Sequence, residues 1–323
     1  MRSVSYRQFG DANQVLEVID RDRPEPGAGQ VRVRLVLSPI HNHDLMTIKG
    51  VYGVKPTLPA VPGTEALGIV DALGAGVSNL AVGQRVMGGA NEAWAEYYLA
   101  DAARLIPVPE GVDDETACQL VSMPLSAKML LADLDVQAGD WIIQNAANGA
   151  EGKLLNQFAQ AAGIHVVNLV RRDEAVEEMK ALGFDNTVST ASENWREAVK
   201  ALTGGAPIVR GLDSIGGDGP EALLNVAADG AEIISFGNLS GQKIALSSDM
   251  ILFKQAIVRG FWGAKPRASA EAIGRMIGEL VSDAANGKLK LSVDGVFSLE
   301  QVREAVAASV EPGRAGKVVI RGA

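Results

Sequence analysis

One cysteine, Cys118, occurs in 323 residues. It excludes an intrachain disulfide and any metal site built on four thiolates. Aromatic residues are scarce, at 5%. No apolar run approaches the roughly 18 residues that a membrane span needs. Positive charge is in deficit, with 30 Lys and Arg against 39 Asp and Glu and a net charge of −9. Such a body repels phosphate backbones, so nucleic acid is not an expected partner, and any anionic ligand needs a local positive site. The opening MRSVSYRQFG has neither an apolar signal core nor the character of an amphipathic presequence. With the lone cysteine, this sets the expectation of a cytoplasmic protein with no membrane association. What is present is an Ala-, Gly- and Val-rich chain, 47% hydrophobic and 21% charged. It is long enough for two cores.

Residues 1 to about 115 read as β-rich. Val31, Val33 and Leu35 alternate with polar residues, and 68–73 and 84–87 are further short strands. Turn-forming stretches at 24–29, 54–63 and 74–76 and Gly83 separate them. The stretch 107–111 reads as a connector, and one helix is predicted from Asp113 or Asp114 to about Leu134. Strand–helix alternation follows: strands at 141–145, 164–170, around Val188, 208–215, 231–236 and 257–261, with helices at 152–162, 175–182, 192–202 and 220–228 between them. This rhythm specifies a doubly wound parallel sheet. From about Ala268 the chain holds two more helices and a final strand at 316–321, read as a return to the first domain. The predicted organisation is residues 1–115, completed by 268–323, as one domain and residues 116–267 as a dinucleotide-binding domain.

The segment Trp141–Gly152 runs from a buried strand through Asn145, Ala146, Ala147, Asn148, Gly149 and Ala150 straight into a helix. Small residues let the backbone approach a pyrophosphate, and the free N–H groups of a helix start attract it. Ala146 and Gly149 replace the first two glycines of the usual fingerprint in a looser spacing, so the loop also fits an ordinary tight turn. About 20 residues on, where NAD-binding domains commonly carry an acidic residue, stand Arg171 and Arg172. Arginine there suits a 2′-phosphate, which specifies NADPH. The competing reading makes both arginines solvated side chains before a helix cap at Asp173.

Several stretches together resemble the zinc-independent medium-chain dehydrogenase/reductases, above all the trans-2-enoyl thioester reductases of the mitochondrial type, with the quinone oxidoreductases next. They are Gly50–Tyr52, Leu58–Glu65, Gly83–Val86, Asp140–Gly152, Asn168–Arg172, Leu252–Lys254, Gly260–Trp262 and Gly316–Val319. The resemblance implies a GroES-like barrel, a Rossmann domain, an active-site cleft between them and a homodimer. Two departures stand out: His41-Asn42 where the family has Asn-Pro, and Glu151 where it has a small apolar residue.

Zinc enzymes share this superfamily, and by resemblance their ligands fall near His41, Thr64, Glu65 and Ser122. Only His41 and Glu65 bind zinc well, and zinc needs three or four converging ligands. No zinc is therefore expected, and His41 and Asn42 are assigned to the substrate pocket. His43 is read as another hydrogen-bonding residue of the cleft, and His165 as structural.

The resemblance implies conjugate reduction of an α,β-unsaturated carbonyl compound. Tyr52 stands at the family's catalytic tyrosine, with a turn-forming loop aromatic as the bland reading. Phe253 and Trp262 resemble pocket-wall residues. Lys317 resembles a cofactor-side lysine, and the backbone of Phe236 and Gly237 is expected to flank the nicotinamide. Two other functions fit the same residues: quinone or small-enal reduction, and a non-catalytic NADPH-binding sensor.

Overall fold

The structure, a computed structural model, describes residues 1–323. The chain divides into two compact units, Met1–Ser122 with Ile277–Ala323, and Met123–Met276.

In chain order the first unit contains β1 (Arg2–Ser5), α1 (Ala12–Val15), β2 (Glu17–Asp20), β3 (Gln30–Pro39), α2 (Asn42–Lys49), β4 (Glu65–Leu73), β5 (Arg85–Gly89), β6 (Tyr97–Asp101), β7 (Ile106–Pro107) and α3 (Asp114–Ala117). The second holds α4 (Met123–Asp133), β8 (Trp141–Gln144), α5 (Ala150–Ala161), β9 (His165–Val170), α6 (Asp173–Ala181), β10 (Thr187–Ser189), α7 (Trp195–Leu202), β11 (Ile208–Asp213), α8 (Gly219–Leu224), β12 (Glu232–Ser235), α9 (Ser248–Phe253) and β13 (Ile257–Gly260). Helix α10 (Ala270–Ala285) follows, then β14 (Val293–Ser298), α11 (Val302–Val310) and β15 (Lys317–Arg321).

In the first unit the alternation along β3 does what a half-buried strand requires: Val31, Val33 and Leu35 are buried and the residues between them are partly open. They pack with Ala66, Val70, Val86 and Tyr98 into one core. The main sheet runs β14-β15-β3-β4-β5-β7, with β6 also paired to β3. The final strand returns to this unit, pairing antiparallel with β3 from Val319↔Pro39 to Arg321↔Leu37. A second core gathers Tyr6, Leu16, Ile48, Trp94, Val302 and Ile320.

Several elements differ from the sequence-based expectation. The single helix predicted from 113 to 134 is interrupted between α3 and α4. There the amides of Val121 and Ser122 donate to Glu65, at 2.7 and 2.8 Å, instead of continuing a helical ladder. Pro124 then stands in the first turn of α4, where it removes no helical bond. Helices α1, α2 and α9 and strands β1, β2, β6, β7 and β14 were not foreseen. β14 mixes its apolar residues with Asp294 and Gly295 and buries few side chains, so its pattern is weak.

The second unit is a six-stranded sheet of order β10-β9-β8-β11-β12-β13, parallel at every pairing. Numbered within the unit this is 3-2-1-4-5-6, the doubly wound order. The direction of winding reverses between β8 and β11. In sheets of this kind ligands bind outside the carboxyl ends of the strands at that reversal.

Candidate functional site

At the reversal, β8 ends on Gln144, followed by Asn145, and β11 ends on Asp213. Asn145 Nδ2 donates to Asp213 Oδ1 at 2.6 Å, and Asn145 Oδ1 accepts from the Ser214 amide at 2.9 Å. Asp213 also accepts from the amides of Ile215 and Gly216 and from Ser235 Oγ at 3.1 Å. It has no exposed surface. These bonds tie the ends of β8, β11 and β12 into one frame. Beneath it, Gln144 Nε2 donates to Asn168 Oδ1 at 2.7 Å and to the Gly152 carbonyl at 2.9 Å, joining β8, β9 and the first turn of α5.

The loop between β8 and α5 is as tight as its small residues imply. Ala146 has a φ of 48°, a left-handed conformation that costs a side-chain-bearing residue about 1–3 kcal/mol and collects at functional sites. At Gly152 a Cβ would stand 2.6 Å from the Ala147 carbonyl oxygen. Glycine alone lets the helix start lie this close to the strand end. Ala147 and Gly152 are buried, while Gly149 and Ala150 are exposed at the start of α5. Asn148 is half-buried beside them. This is a surface that can receive a pyrophosphate on backbone N–H groups. Glu151 is acidic in the same first turn, favourable to the helix dipole and unfavourable to an anion.

A cavity of about 210 Å3 opens beside this loop. Its lining includes Asn145 and Ala146 from the loop, Arg171 after β9, Thr190 after β10, and Trp195 and Arg196 from α7. Arg172 does not line it. That residue caps α6 and lies 3.9 Å from the Glu178 carboxylate. Gly237 lies after β12, where a Cβ would meet the Ser214 carbonyl oxygen at 2.6 Å. The preceding Phe236 amide donates to the Asp213 carbonyl.

The first unit carries a separate polar cluster. His41 Nε2 lies 2.8 Å from Glu65 Oε2, with the two side chains 0% and 1% exposed. Burial pushes the Glu65 carboxyl up to about 7 against its two amide donors, and burial holds His41 well below its ordinary range. The charge of Lys317 at the start of β15 lowers both. Lys317 thus acts electrostatically on this pair. Beside it, His43 Nε2 lies 2.7 Å from Thr64 Oγ1, and Thr64 donates to Asp44 Oδ1 at 2.8 Å. Because the Thr64 hydrogen goes to Asp44, its oxygen accepts from His43 Nε2–H. The His43 ring stacks on His41 at 4.9 Å and on Tyr52 at 5.8 Å. The capping bond from the His41 amide to Asp44 Oδ2 starts α2 and holds this row in place.

Of the residues singled out in the sequence, the structure brings His41 and Tyr52 to either side of His43. Asn42 is exposed at the start of α2. In the second unit, Arg171 reaches the cavity with the Asn145 loop. Phe253 is 77% exposed at the end of α9, next to exposed Ile251 and Leu252. Trp262 follows β13, its ring 5.3 Å from Lys265 Nζ. Sequence reasoning missed Asp213, Thr190, Trp195 and Arg196. Asp213 at the end of a strand was a legible signal. The others come together only through the crossover. It also gave His43 no part beyond hydrogen bonding in the cleft.

A zinc ion does not fit these donors. No three His, Cys, Asp or Glu side chains are gathered for a metal. His41 and Glu65 spend their facing atoms on each other, and Thr64 stands between His43 and Asp44.

Two family models match the chain: the alcohol dehydrogenase GroES-like domain over residues 27–110 and the zinc-binding dehydrogenase over 152–278. The mitochondrial enoyl-[acyl-carrier-protein] reductase of Caenorhabditis elegans is 32% identical, over 88% of this chain and 84% of its own. Among solved structures, a Pseudomonas syringae quinone oxidoreductase matches with a TM-score of 0.86 and 27% identity over 99% of both chains. A mycobacterial protein solved with NADPH matches at 0.85 and 26% identity, over 99% of this chain and 100% of its own. With a parallel sheet of order 3-2-1-4-5-6, a GroES-like unit and this likeness along nearly its whole length, the chain belongs to the medium-chain dehydrogenase/reductase superfamily.

Proposed function

We propose that this protein is an NADPH-dependent, zinc-independent oxidoreductase that reduces the C=C bond of an α,β-unsaturated carbonyl compound, with a trans-2-enoyl thioester as substrate. The observation that carries the reading is the ordered row of His41, His43 and Tyr52, backed by the Thr64–Asp44 relay. It offers a proton-donating phenol and a positioned imidazole with no metal. The activity for which the enoyl reductase relatives are named supports it, and the relative solved with NADPH supports the cofactor.

The cofactor site is assigned to Asn145–Gly152, with the pyrophosphate on the N-terminus of α5, and to Arg171. Phe236 and Gly237 would hold the nicotinamide end. When bound, the cofactor would supply the hydride that the β-carbon receives. The π electrons move toward the carbonyl oxygen, and Tyr52 stabilises that developing charge by donating a hydrogen bond. A proton from solvent then completes the α-carbon. The substrate would gain two electrons and two hydrogens in all, at the expense of the reduced cofactor.

Reduction of a quinone or small enal is the second reading, supported by the likeness to the Pseudomonas syringae quinone oxidoreductase. It uses the same hydride donor. No helix is long and apolar enough to cross a membrane, and we assign the protein to the cytoplasm. We also assign a homodimer. β13 is an edge strand, and Ile257, Leu252 and Phe253 near it are 52%, 64% and 77% exposed. A second copy pairing edge to edge would cover them by two-fold symmetry. A monomeric mass in solution would refute this.

The deciding experiment follows NADPH oxidation with crotonyl-CoA, longer enoyl-CoAs, enals and quinones, with NADH in parallel. Turnover of enoyl thioesters is expected. Binding of NADPH with turnover of nothing in the panel would replace the enzyme reading by a sensor.

A further inference from the structure

The second arginine of the nucleotide cavity comes from an unexpected place. Arg171 directly follows β9, the position where a ribose contact is expected. Its sequence neighbour Arg172 is turned to α6 and Glu178. The cavity instead draws its other cation from Arg196, the second residue of α7 and 25 residues further along the chain. Resting on the reading that the cofactor is NADPH, we propose that Arg196 and Arg171 together bind the 2′-phosphate of the adenine ribose, and that Arg172 takes no part.

Four observations carry this. First, Arg171 and Arg196 line one cavity together with the half-buried Thr190. Second, no carboxylate lies within ion-pair distance of either arginine, whereas Arg172 has Glu178 at 3.9 Å. An anion in the cavity would meet two uncompensated guanidinium groups.

Third, Arg196 stands in the first turn of α7, where the helix dipole disfavours a cation. Helix stability alone gives no reason for arginine there. A bound anion does. Fourth, the guanidinium carbon of Arg196 lies 4.7 Å from the centre of the Trp195 ring, and Trp195 is only 7% exposed. Stacking engages the face of the guanidinium and leaves its edge N–H groups to form a fork on phosphate. The same buried tryptophan orients the side chain in advance, which reduces the ordering cost on binding.

The cavity's size agrees. At about 210 Å3 it is smaller than a site for a whole drug-sized ligand, roughly 300–1,000 Å3. It therefore takes one end of a dinucleotide. Ile215, Ala222 and Leu223 give it an apolar wall for the flat adenine.

The test is equilibrium binding by calorimetry on the full-length protein, with NADPH and NADH as probes. Wild type is compared with Arg196→Gln, Arg196→Lys, Arg171→Gln and Arg172→Gln. Arg196 is exposed, and thermal melts check that each variant folds. Wild type is expected to prefer NADPH. Arg196→Gln should raise the Kd for NADPH by about ten-fold or more and leave that for NADH within about two-fold, because charge-assisted bonds to phosphate are lost. Arg196→Lys keeps the charge without the fork and should fall between. The double variant Arg171→Gln/Arg196→Gln should lose the preference, and Arg172→Gln should keep it.

If wild type prefers NADPH and Arg196→Gln keeps the whole preference, the inference fails and the NADPH reading stands. If Arg196→Gln weakens both nucleotides equally, Arg196 only supports the cavity and the inference fails. If wild type shows no preference, both fail together.

Discussion

The imidazole of His41 and the carboxyl group of Glu65 lie 2.8 Å apart with both side chains shut off from water. Glu65 titrates near 7 rather than in the usual carboxylate range. A carboxyl whose folded value is raised favours folding while protonated and loses that contribution as pH rises toward 7. His41 acts oppositely: its folded value is depressed, so its contribution is lost as pH falls through the ordinary histidine range. Glu65→Gln keeps a hydrogen-bonding group without the charge. We expect its stability relative to wild type to increase between pH 5 and pH 8, by on the order of 3 kcal/mol. Urea unfolding at the two pH values measures it, and a constant difference would refute the assignment.

Asp213 gathers four groups, Asn145 Nδ2, two amides and Ser235 Oγ, at the crossover of the parallel sheet. Asp213→Ala leaves all of them without this partner, Asn145 and the Gly216 amide buried and the other two half-buried. A loss of about 3 kcal/mol or more is expected, since each orphaned group costs roughly 1–3 kcal/mol. Denaturant midpoints check the stability, and titration with NADPH should show weaker binding in the fraction that remains folded.

Glu151 opens α5 in the turn assigned to the pyrophosphate. Glu151→Ala removes a like charge from beside that anion. It should tighten NADPH binding by a few-fold, on the order of 1 kcal/mol, and the gain should shrink in high salt. Stability should fall slightly, because an acidic first turn is worth about 0.3–1 kcal/mol. Fluorescence titration and thermal melts read the two effects separately. Unchanged binding would show that the carboxylate does not sense the bound anion.

Tyr52 and Thr64 divide donation from positioning in the first unit. Tyr52→Phe keeps the ring against His43 and removes only the hydroxyl. It should lower kcat for enoyl reduction by about ten- to a hundred-fold or more, with the Kd for NADPH unchanged. Thr64→Val cuts the link from His43 to Asp44. It should shift the pH profile of kcat with a smaller loss of rate. An unaltered rate in Tyr52→Phe would remove the tyrosine from the chemistry.

The sequence by itself determined the parallel sheet, the position of the small-residue loop between β8 and α5 and the return of the last strand. Each is a local pattern: apolar runs of strand length, small residues between a strand and a helix, and the consecutive Val318, Val319 and Ile320. Alternation in β3 was legible because one face of that strand is buried and the other is not. The break between α3 and α4 was not legible, because the amides of Val121 and Ser122 bond to a glutamate more than 50 residues earlier in the chain. Nor was the choice between the two adjacent arginines. Both suit a phosphate by type, and only the register of β9 and α6 sends Arg172 toward Glu178 while Arg171 stays at the cavity. Local spacing reports which residues can share a face. Which of them meet is decided by the tertiary fold: the crossovers of the parallel sheet bring Arg196 beside Arg171, and the antiparallel pairing of β3 with β4 brings Thr64 between His43 and Asp44 and His41 onto Glu65.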